Sequence, residues 1–453
     1  MRPISHCQIS DYNTGESMPN WQGHGYPSLV STFARSIRPN VPTVMATSKC
    51  VRGYTDYTLR PELHLKWEVF LYLAHGAHAF VIDDALFDGT IQPQTYERLG
   101  RVFAEAKEKD AYFGHERVCE VGLYYSLKSR DWYGRGRPAQ YENGYMGAYR
   151  ALCAAHIPVD AIFDESASLE AIEKYPVMFL PNTAILDENE LRMFREYVKG
   201  GGRLIATQDA ALFDIDGKAL RDFSLADVLG VRFKGKADYS LHYFTLPAGD
   251  LAADIPPDYD VLVPGAANIV ELAGAEAVGD LKIPFYDGPP FHPIGVGAYN
   301  SAWKRVGPAV ALNRFGAGSA AYITFGPDVA YGGDFPLPEH RLLIRNLVRR
   351  LHPRPMIRVE APTTTEVVMT HDRAGNRYII HFVECRPGLV MSGTGSPFKP
   401  NVMEDPPLYR ARIVLQQRPR EVTCLSRQTQ VTQKDNTVAL QIEDVHEAVI
   451  LAY

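Results

Sequence analysis

Apolar positions along the first part of the chain alternate between two patterns. Short apolar runs at residues 42–48 and 78–82 are typical of buried strands, and residues 4–10 are a further candidate strand. Residues 62–75 place apolar side chains at helical spacing after a proline and end before a glycine, which predicts an amphipathic helix. Together with helical patterns at residues 28–36 and 96–109, this predicts about three consecutive βα units of a TIM-type (β/α) barrel, which has eight when closed.

Residues 117–353 predict a second domain, a doubly wound α/β fold. At 176–208 a buried strand is followed by a helix that Asp187 can cap, a turn of three glycines and another buried strand, which is one βαβ unit. Residues 308–312 and 321–325 predict a hairpin, and residues 341–351 predict a closing helix. Residues 240–305 are rich in proline, glycine and aromatic residues, and we expect an irregular insertion there.

Residues 354–453 lose the helical period. Apolar runs alternate with turn signals such as Asp372–Asn376, so this segment predicts a small antiparallel β-sandwich. The predicted domains are therefore the C-terminal part of a barrel at 1–116, the α/β domain at 117–353 and the sandwich at 354–453.

Composition narrows the class of protein. The net charge of −6, with no basic block, argues against nucleic acid as a partner. No apolar run approaches the roughly 20 residues of a membrane span, and residues 1–17 lack the apolar region of a signal peptide. The six cysteines show no CxxC spacing and are expected to be free thiols of a cytoplasmic protein.

Three segments resemble the β-galactosidases that carry a trimerisation domain, and more closely a related group described as hypothetical glycosyl hydrolases. LHLKWEVFLYLAHGAHAFVIDD (63–84) resembles the last helix and eighth strand of their barrel. Residues 179–207 and 307–325 resemble the centre and the closing hairpin of the trimerisation domain, which has a class I glutamine amidotransferase-like fold. The resemblance implies a glycosidase acting on a carbohydrate and a homo-oligomer, trimer or dimer, assembled through residues 117–353.

The sequence departs from that family at two points, and from amidotransferase-like enzymes at one. The strand at 42–48 matches the family's seventh barrel strand, and Ala46 stands where the resemblance places the nucleophilic glutamate. Asn182 stands where amidotransferase-like folds place a cysteine nucleophile, which argues against amidotransferase chemistry. The early strand that carries the family's general acid has no counterpart, so we expect either a piece of a longer protein or a naturally shortened relative.

Glycoside hydrolysis generally uses two carboxyl groups that flank the scissile bond. Glu16, in a loop after the first strand, is a candidate acid, base or substrate contact, or else a solvated loop carboxylate. Asp83 and Asp84 follow the last strand, where adjacent residues point to opposite faces, so at most one faces the barrel mouth; the alternative is capping of the next turn. Asp88, within Phe-Asp-Gly, is a substrate-binding candidate for which a turn role is the alternative.

Aromatic and basic residues near these carboxylates supply candidates for sugar binding. They are His6, Trp21, His24, Lys49 and Tyr54, with core packing or simple solvent exposure as the alternative for each. The histidines form no HxxxH or HExxH pair, and no phosphate-binding loop is present, so the sequence predicts neither a metal nor a cofactor.

The leading hypothesis is a glycoside hydrolase with galactosidase-like or fucosidase-like specificity, the specificity being implied by the resemblance alone. Two alternatives remain open. The first is a non-catalytic oligomerisation or carbohydrate-binding remnant of such an enzyme, which Ala46 favours. The second is an amidotransferase-like enzyme, against which Asn182 argues.

Overall fold

The computed structural model describes residues 10–18, 22–39, 41–51, 57–136, 138–285, 301–334, 336–386 and 402–453. The chain divides into two compact units. Unit 1 comprises Met1–Cys119, His156–Pro158 and Pro355–Tyr453, and unit 2 comprises Glu120–Ala155 and Val159–Arg354. Unit 1 is therefore discontinuous: the first and last parts of the chain fold together.

The strands, in chain order, are β1 (Asn13–Glu16), β2 (Thr43–Ser48), β3 (His78–Ile82), β4 (Glu116–Arg117), β5 (Val121–Tyr125), β6 (Val159–Phe163), β7 (Val177–Leu180), β8 (Arg203–Thr207), β9 (Val231–Ala237), β10 (Leu241–Thr245), β11 (Val261–Pro264), β12 (Ala267–Leu272), β13 (Glu276–Pro284), β14 (Ala302–Phe315), β15 (Gly318–Ile323), β16 (Ile357–Glu360), β17 (Thr365–Asp372), β18 (Arg377–Glu384), β19 (Tyr409–Leu415), β20 (Glu421–Cys424), β21 (Gln430–Lys434), β22 (Thr437–Ile442) and β23 (His446–Ala452).

The α-helices are α1 (Tyr26–Ile37), α2 (Glu62–Ala74), α3 (Pro93–Glu108), α4 (Pro138–Ala154), α5 (Leu169–Glu173), α6 (Glu188–Lys199), α7 (Ala226–Leu229), α8 (Pro327–Gly332) and α9 (Pro338–Leu351). Ser129–Tyr133 forms a π-helical turn, and Asp110–Tyr112 and Asp250–Ala252 form 3₁₀ turns. None of the helices in the described ranges is both long and apolar enough to cross a membrane.

The first part of unit 1 is three consecutive βα units. Strands β1, β2 and β3 form a parallel sheet in chain order, and α1, α2 and α3 follow them in turn. The partial barrel predicted for this segment is confirmed. Of the candidate strand at residues 4–10, residues 4–9 lie outside the described residues, and the first strand that the structure describes, β1, begins at Asn13.

Helix α2 is buried on nearly all sides, where an amphipathic helix was predicted. Val69 and Phe70 pack with α3 and the underside of the sheet, whereas Trp67 and Leu71 pack against Val383 and other residues of the C-terminal strands. A helix with apolar residues all round is stable only when it is enclosed. The strands of residues 355–453 complete that enclosure and make the two parts of unit 1 one folded body.

The C-terminal part of unit 1 is a β-sandwich of two antiparallel sheets. One sheet has the order β16-β19-β22-β21, and the other β20-β23-β18-β17-β4. Their facing side chains, including Ile380, Phe382, Ile413 and Leu440, form its core. The predicted sandwich is present, and β4, from the segment predicted as barrel, adds an edge strand to it.

Unit 2 is built on one mixed sheet of nine strands, in the order β11-β10-β13-β14-β15-β8-β7-β5-β6. The run from β15 to β6 is parallel, as predicted for a doubly wound fold, and β14 and β15 form the predicted hairpin. Asp187 caps α6 and Glu190 completes a capping box.

The prediction of an irregular insertion at 240–305 is wrong for much of that range. Strands β10 and β13 extend the main sheet, and β12 pairs with β9 in a separate ribbon. Their alternation is interrupted by glycines and by bulges, such as the register shift after Leu281, which hides the strand period in the sequence.

Candidate active site

The three parallel strands of unit 1 have one face against the helices. On β1, the Asn13 side chain donates to the Ala34 carbonyl at 3.0 Å, and just beyond the strand the Ser17 hydroxyl lies 2.5 Å from the Tyr72 hydroxyl. Because side chains alternate along a strand, Glu16 points to the opposite face, and it is exposed.

The same alternation holds on the neighbouring strands. On β2, Met45 packs with residues of α1 and α2, and on β3, Ala79 and Val81 pack against α2 and α3. Phe80, between them, is 54% exposed. We call the side of the sheet away from the helices the open face; its members are Thr14, Glu16, Val44, Ala46, His78 and Phe80.

Glu16 was expected in a loop after the first strand. In the structure it is the last residue of β1. It lies level with Ala46 of β2, which in turn lies level with Phe80 of β3. Active sites of (β/α) barrels lie at the carboxyl ends of the strands, and Glu16 is an exposed carboxylate at that end of the sheet. The small side chain of Ala46 leaves room beside it.

A fully buried ion pair fixes the ends of β1 and β2 from the helix side. Glu68 of α2 is paired with Arg60, and Thr47 donates to both oxygens of Glu68 at 3.0 and 3.1 Å. Arg60 also donates to the Ser48 carbonyl, and Tyr72 donates to Glu68 at 3.1 Å and contacts Ser17, the residue after Glu16. The backbone around Glu16 is thereby attached to a rigid hydrogen-bonded cluster.

Burial raises the pKa of Glu68, although Arg60, Thr47 and Tyr72 act in the opposite direction. Sequence reasoning missed Arg60 and Glu68 as residues of the site. A signal was available, because Glu68 stands between Trp67 and Val69 in an otherwise apolar stretch of helix. A carboxylate there is enclosed and therefore needs a buried partner.

Lys49 and Asp83 form a second ion pair at the ends of β2 and β3. The Lys49 ammonium is buried, contacts the Asp83 carboxylate, donates to the Gln92 side chain at 3.1 Å and lies 5.6 Å from the centre of the Tyr57 ring. In this arrangement the Asp83 carboxylate neutralises Lys49 and does not face solvent freely.

Asp84 and Asp88 are both exposed beyond β3. Asp88 accepts hydrogen bonds from the Thr90 backbone amide at 2.9 Å and from the Thr90 hydroxyl at 2.6 Å, which lower the pKa of its carboxyl. Asp88 therefore performs a turn role, whatever else it contacts. With Glu16, Asp84 and Asp88 are the exposed carboxylates among the sequence-predicted site residues.

His24 lies beside α2, where its ring is 5.7 Å from the His64 ring and 5.4 Å from the Trp67 ring. Burial is the main cause that lowers the pKa of His64, so this histidine is neutral at physiological pH. The remaining candidates for sugar binding, His6, Trp21 and Tyr54, lie outside the described residues.

In unit 2, Asn182 occupies the carboxyl end of β7, where the fold resemblance places a nucleophile. Its φ of 43° is in the left-handed region, and its side chain is fully buried. Its backbone amide donates to the Thr207 hydroxyl at 2.8 Å, and its side-chain oxygen accepts from the Asp209 amide at 3.1 Å. Asn182 thus holds two strand ends together.

Two buried carboxylates accompany Asn182. Asp209 is paired with Lys236 at 2.6 Å, and Asp328 accepts from the Thr207 hydroxyl at 2.8 Å. Burial raises the pKa of Asp328 to about 7. Within the described ranges, no group of three or more His, Cys, Asp or Glu side chains has the geometry of a metal site.

The chain combines a partial (β/α) barrel and a β-sandwich in unit 1 with a doubly wound α/β fold in unit 2. Residues 121–351, just over half of the 453, match the profile of the β-galactosidase trimerisation domain. The chain belongs to this family.

Solved structures with the same fold are glycosidases by name. An α-L-fucosidase, isoenzyme 2, from Paenibacillus thiaminolyticus has a TM-score of 0.82 and 18% identity, and the match covers 100% of this chain and 66% of that one. The β-galactosidase from Bacillus circulans sp. alkalophilus has a TM-score of 0.71 and 13% identity over 100% and 62%. The β-galactosidase from Rahnella sp. R3 has a TM-score of 0.68 and 16% identity, and the match covers 99% of this chain and 61% of that one. The chain thus spans about two thirds of these structures or slightly less.

Proposed function

We propose that the chain contributes to a glycoside hydrolase that cleaves O-glycosidic bonds of galactosides or fucosides, with Glu16 as a catalytic carboxylate. The observation that carries this proposal is the position of Glu16, exposed at the carboxyl end of a parallel strand and attached through Ser17 to a buried cluster. The names of the structurally similar proteins support the reaction class, although identities of 13–18% relate their folds alone.

The second carboxyl group is proposed to be Asp84, because it is exposed. Asp83, the other candidate, can act in catalysis only after it separates from Lys49. In the proposed site Lys49 and Asp83 order the ends of β2 and β3, and His24 and Asp88 contribute to substrate binding. His6, Trp21 and Tyr54 remain proposals on the sequence alone.

The second candidate function is a non-catalytic carbohydrate-binding or oligomerisation protein. It is favoured by Ala46, which stands on the open face where the family resemblance expects the nucleophile. In that case the open face binds a ligand or a protein segment, and Glu16 is a surface carboxylate.

We further propose that unit 2 assembles the chain into a homo-oligomer, trimer or dimer, since it carries the trimerisation family's domain. Cytoplasmic residence is also proposed. It is supported by Cys50, Cys385 and Cys424, which are free thiols.

The test is hydrolysis of aryl galactosides, fucosides, glucosides and arabinosides by the purified chain and two variants. Glu16→Gln removes the carboxylate and keeps its shape. Glu108→Gln is the control, because it makes the same change at the exposed last residue of α3, which is not part of the proposed site. We expect kcat to fall by at least about 100-fold in Glu16→Gln, the lower range for a lost acid–base group, and to stay unchanged in Glu108→Gln.

Turnover that survives in Glu16→Gln would remove Glu16 from the mechanism. An absence of turnover on every substrate, combined with saturable binding of a sugar, would favour the non-catalytic alternative for this chain.

A further inference from the structure

The sandwich of unit 1 contains a surface cavity that plays no part in the proposed active site. Its volume is about 480 Å³, within the range of roughly 300–1,000 Å³ that is common for small-molecule sites. It lies at the start of β19 and beside β22. The lining residues are Pro362, Arg386, Leu408, Tyr409, Arg410 and Gln441.

Arg386 is held in a fixed orientation at this cavity. Its Nε donates to Glu384 at 2.9 Å and its Nη1 donates to the Leu408 carbonyl at 3.3 Å. Glu384 is fully buried and also accepts hydrogen bonds from Thr364, at 2.7 Å, and Thr365. The Arg386 side chain is nevertheless 43% exposed. A guanidinium anchored on one edge presents its remaining N–H groups without losing further conformational entropy.

Arg410 supplies a second guanidinium. It is exposed and lies opposite Gln441 in the pairing of β19 with β22. Within the described residues Arg410 forms no ion pair, and no carboxylate lines the cavity. Glu384 neutralises Arg386, and Glu443 accepts a hydrogen bond from Gln441 at 3.3 Å, so Arg410 supplies the unpaired positive charge of the described lining. An anionic group can neutralise that charge with bidentate hydrogen bonds.

The rest of the lining suits a compact ring. Leu408 is 59% exposed and, with Pro362, forms an apolar wall, while the Gln441 amide can both donate and accept. An exposed leucine beside two arginines favours a ligand that combines an anionic group with an apolar face and hydroxyl groups.

We propose that this cavity binds a sugar that carries a carboxylate or sulfate group. Arg386 and Arg410 bind the anionic oxygens, Gln441 bonds a hydroxyl group, and Leu408 and Pro362 contact the ring. The choice of a sugar as the carrier rests on the proposed function, whereas the choice of an anion rests on the two guanidinium groups.

Isothermal titration of the full chain with galacturonate, galactose 6-sulfate and galactose tests the proposal. The informative variant is Arg410→Gln. The matched control is Arg412→Gln, which is two residues along the same strand, on the same face, exposed, and outside the cavity. We expect at least one anionic sugar to bind, about tenfold more weakly in Arg410→Gln and within twofold of the parent in Arg412→Gln.

Binding of galacturonate alone or of the sulfate ester alone assigns the anionic group. An unchanged affinity for the anionic sugars in Arg410→Gln, an equal loss in both arginine variants, or no saturable binding of either anionic sugar up to about 10 mM would each overturn the proposal. Glu16→Gln should bind the anionic sugar as the parent does, so a failure here is distinct from a failure of the proposed hydrolysis.

Discussion

Glu68 shows how one buried charge can organise a site from behind. The residue is fully enclosed, and its pairing with Arg60 compensates for the loss of water. A buried pair of this kind contributes little net stability as a pair, but removal of one partner leaves the other charge buried and uncompensated.

We therefore expect Glu68→Gln to lower the free energy of unfolding of unit 1 by about 3 kcal/mol. The matched control is Glu62→Gln, at the start of the same helix, whose pair with Arg101 is 40% and 60% exposed and should contribute less than about 1 kcal/mol. Urea denaturation measures the free energy of unfolding of both variants and of the parent. Equal effects of the two substitutions would contradict this account of the cluster.

Asp328 makes a second prediction for a single residue, in unit 2. Burial raises its pKa from 3.8 to about 7, so between these values the folded chain holds a proton that the unfolded chain has lost. The contribution of Asp328 to stability is therefore greatest below about pH 4 and is lost as the pH rises toward 7, by up to about 4 kcal/mol.

Asp328→Asn abolishes this titration and keeps an oxygen that can accept from Thr207. Its stability relative to the parent should rise as the pH increases from 5 to 8, as measured by urea denaturation at each pH. Asp334→Asn changes an exposed carboxylate in the same segment and should show no such trend. A constant difference between Asp328→Asn and the parent would mean that the buried carboxyl does not titrate in this range.

At the scale of elements, glycines set the distance between two helices of unit 2. A Cβ atom added at Gly147 of α4 would lie 1.9 Å from the Asp328 carbonyl oxygen and 2.5 Å from the Gly332 backbone nitrogen, both in α8. The two helices therefore pack backbone against backbone, which no larger residue permits.

Gly147→Ala should lower the free energy of unfolding of unit 2 by about 1–3 kcal/mol, because the two helices must move apart to make room for the methyl group. Gly100→Ala is the control: it is exposed within α3, and an added Cβ meets nothing within 4 Å. There the lower entropy of the unfolded chain should increase stability by about 0.5–1 kcal/mol. Thermal unfolding of both variants shows whether each substitution raises or lowers the stability. A Gly147→Ala variant more stable than the parent would refute the close packing.

Elements with a clear apolar period were predictable from the sequence, and elements created by pairing were not. The runs that became β7 and β8 are mainly apolar and almost completely buried, as parallel strands covered on both faces require. The runs that became β2 and β3 also contain apolar residues, although one face of these strands is partly exposed. In contrast, β1 has the sequence NTGE, in which Thr14 alone favours a strand, and it is a strand because it pairs with β2. The position of Glu16 was therefore suggested by its neighbours in the sequence, but its place in the sheet was not.

The cluster around Glu68 was beyond sequence reasoning for a related reason. Arg60, Thr47 and Ser17 are separated along the chain and meet only because β1 and β2 lie side by side under α2. Spacing within a sequence can suggest that a glutamate is buried, but it cannot identify the partner that neutralises it.

At the scale of the whole molecule, family membership of unit 2 leads us to expect an oligomer in solution, with a trimer as the first choice. Sedimentation velocity at several concentrations measures the mass. A monomer across that range would contradict the proposed assembly. Because assembly is assigned to unit 2, Arg410→Gln, which lies in unit 1, should leave the mass unchanged.

The discontinuity of unit 1 has a consequence for how a ribosome makes this protein. Strand β23 lies between β18 and β20, so the sandwich cannot close until the last strand of the chain has been synthesised. About 330 residues separate that strand from Cys119, which at about 5–20 residues per second is a delay of about 15–65 seconds. Nearly all of unit 2 emerges as one continuous stretch during this interval and can fold first. Helix α2, with the apolar side that later meets the sandwich, must remain protected in the nascent chain until β23 has been synthesised.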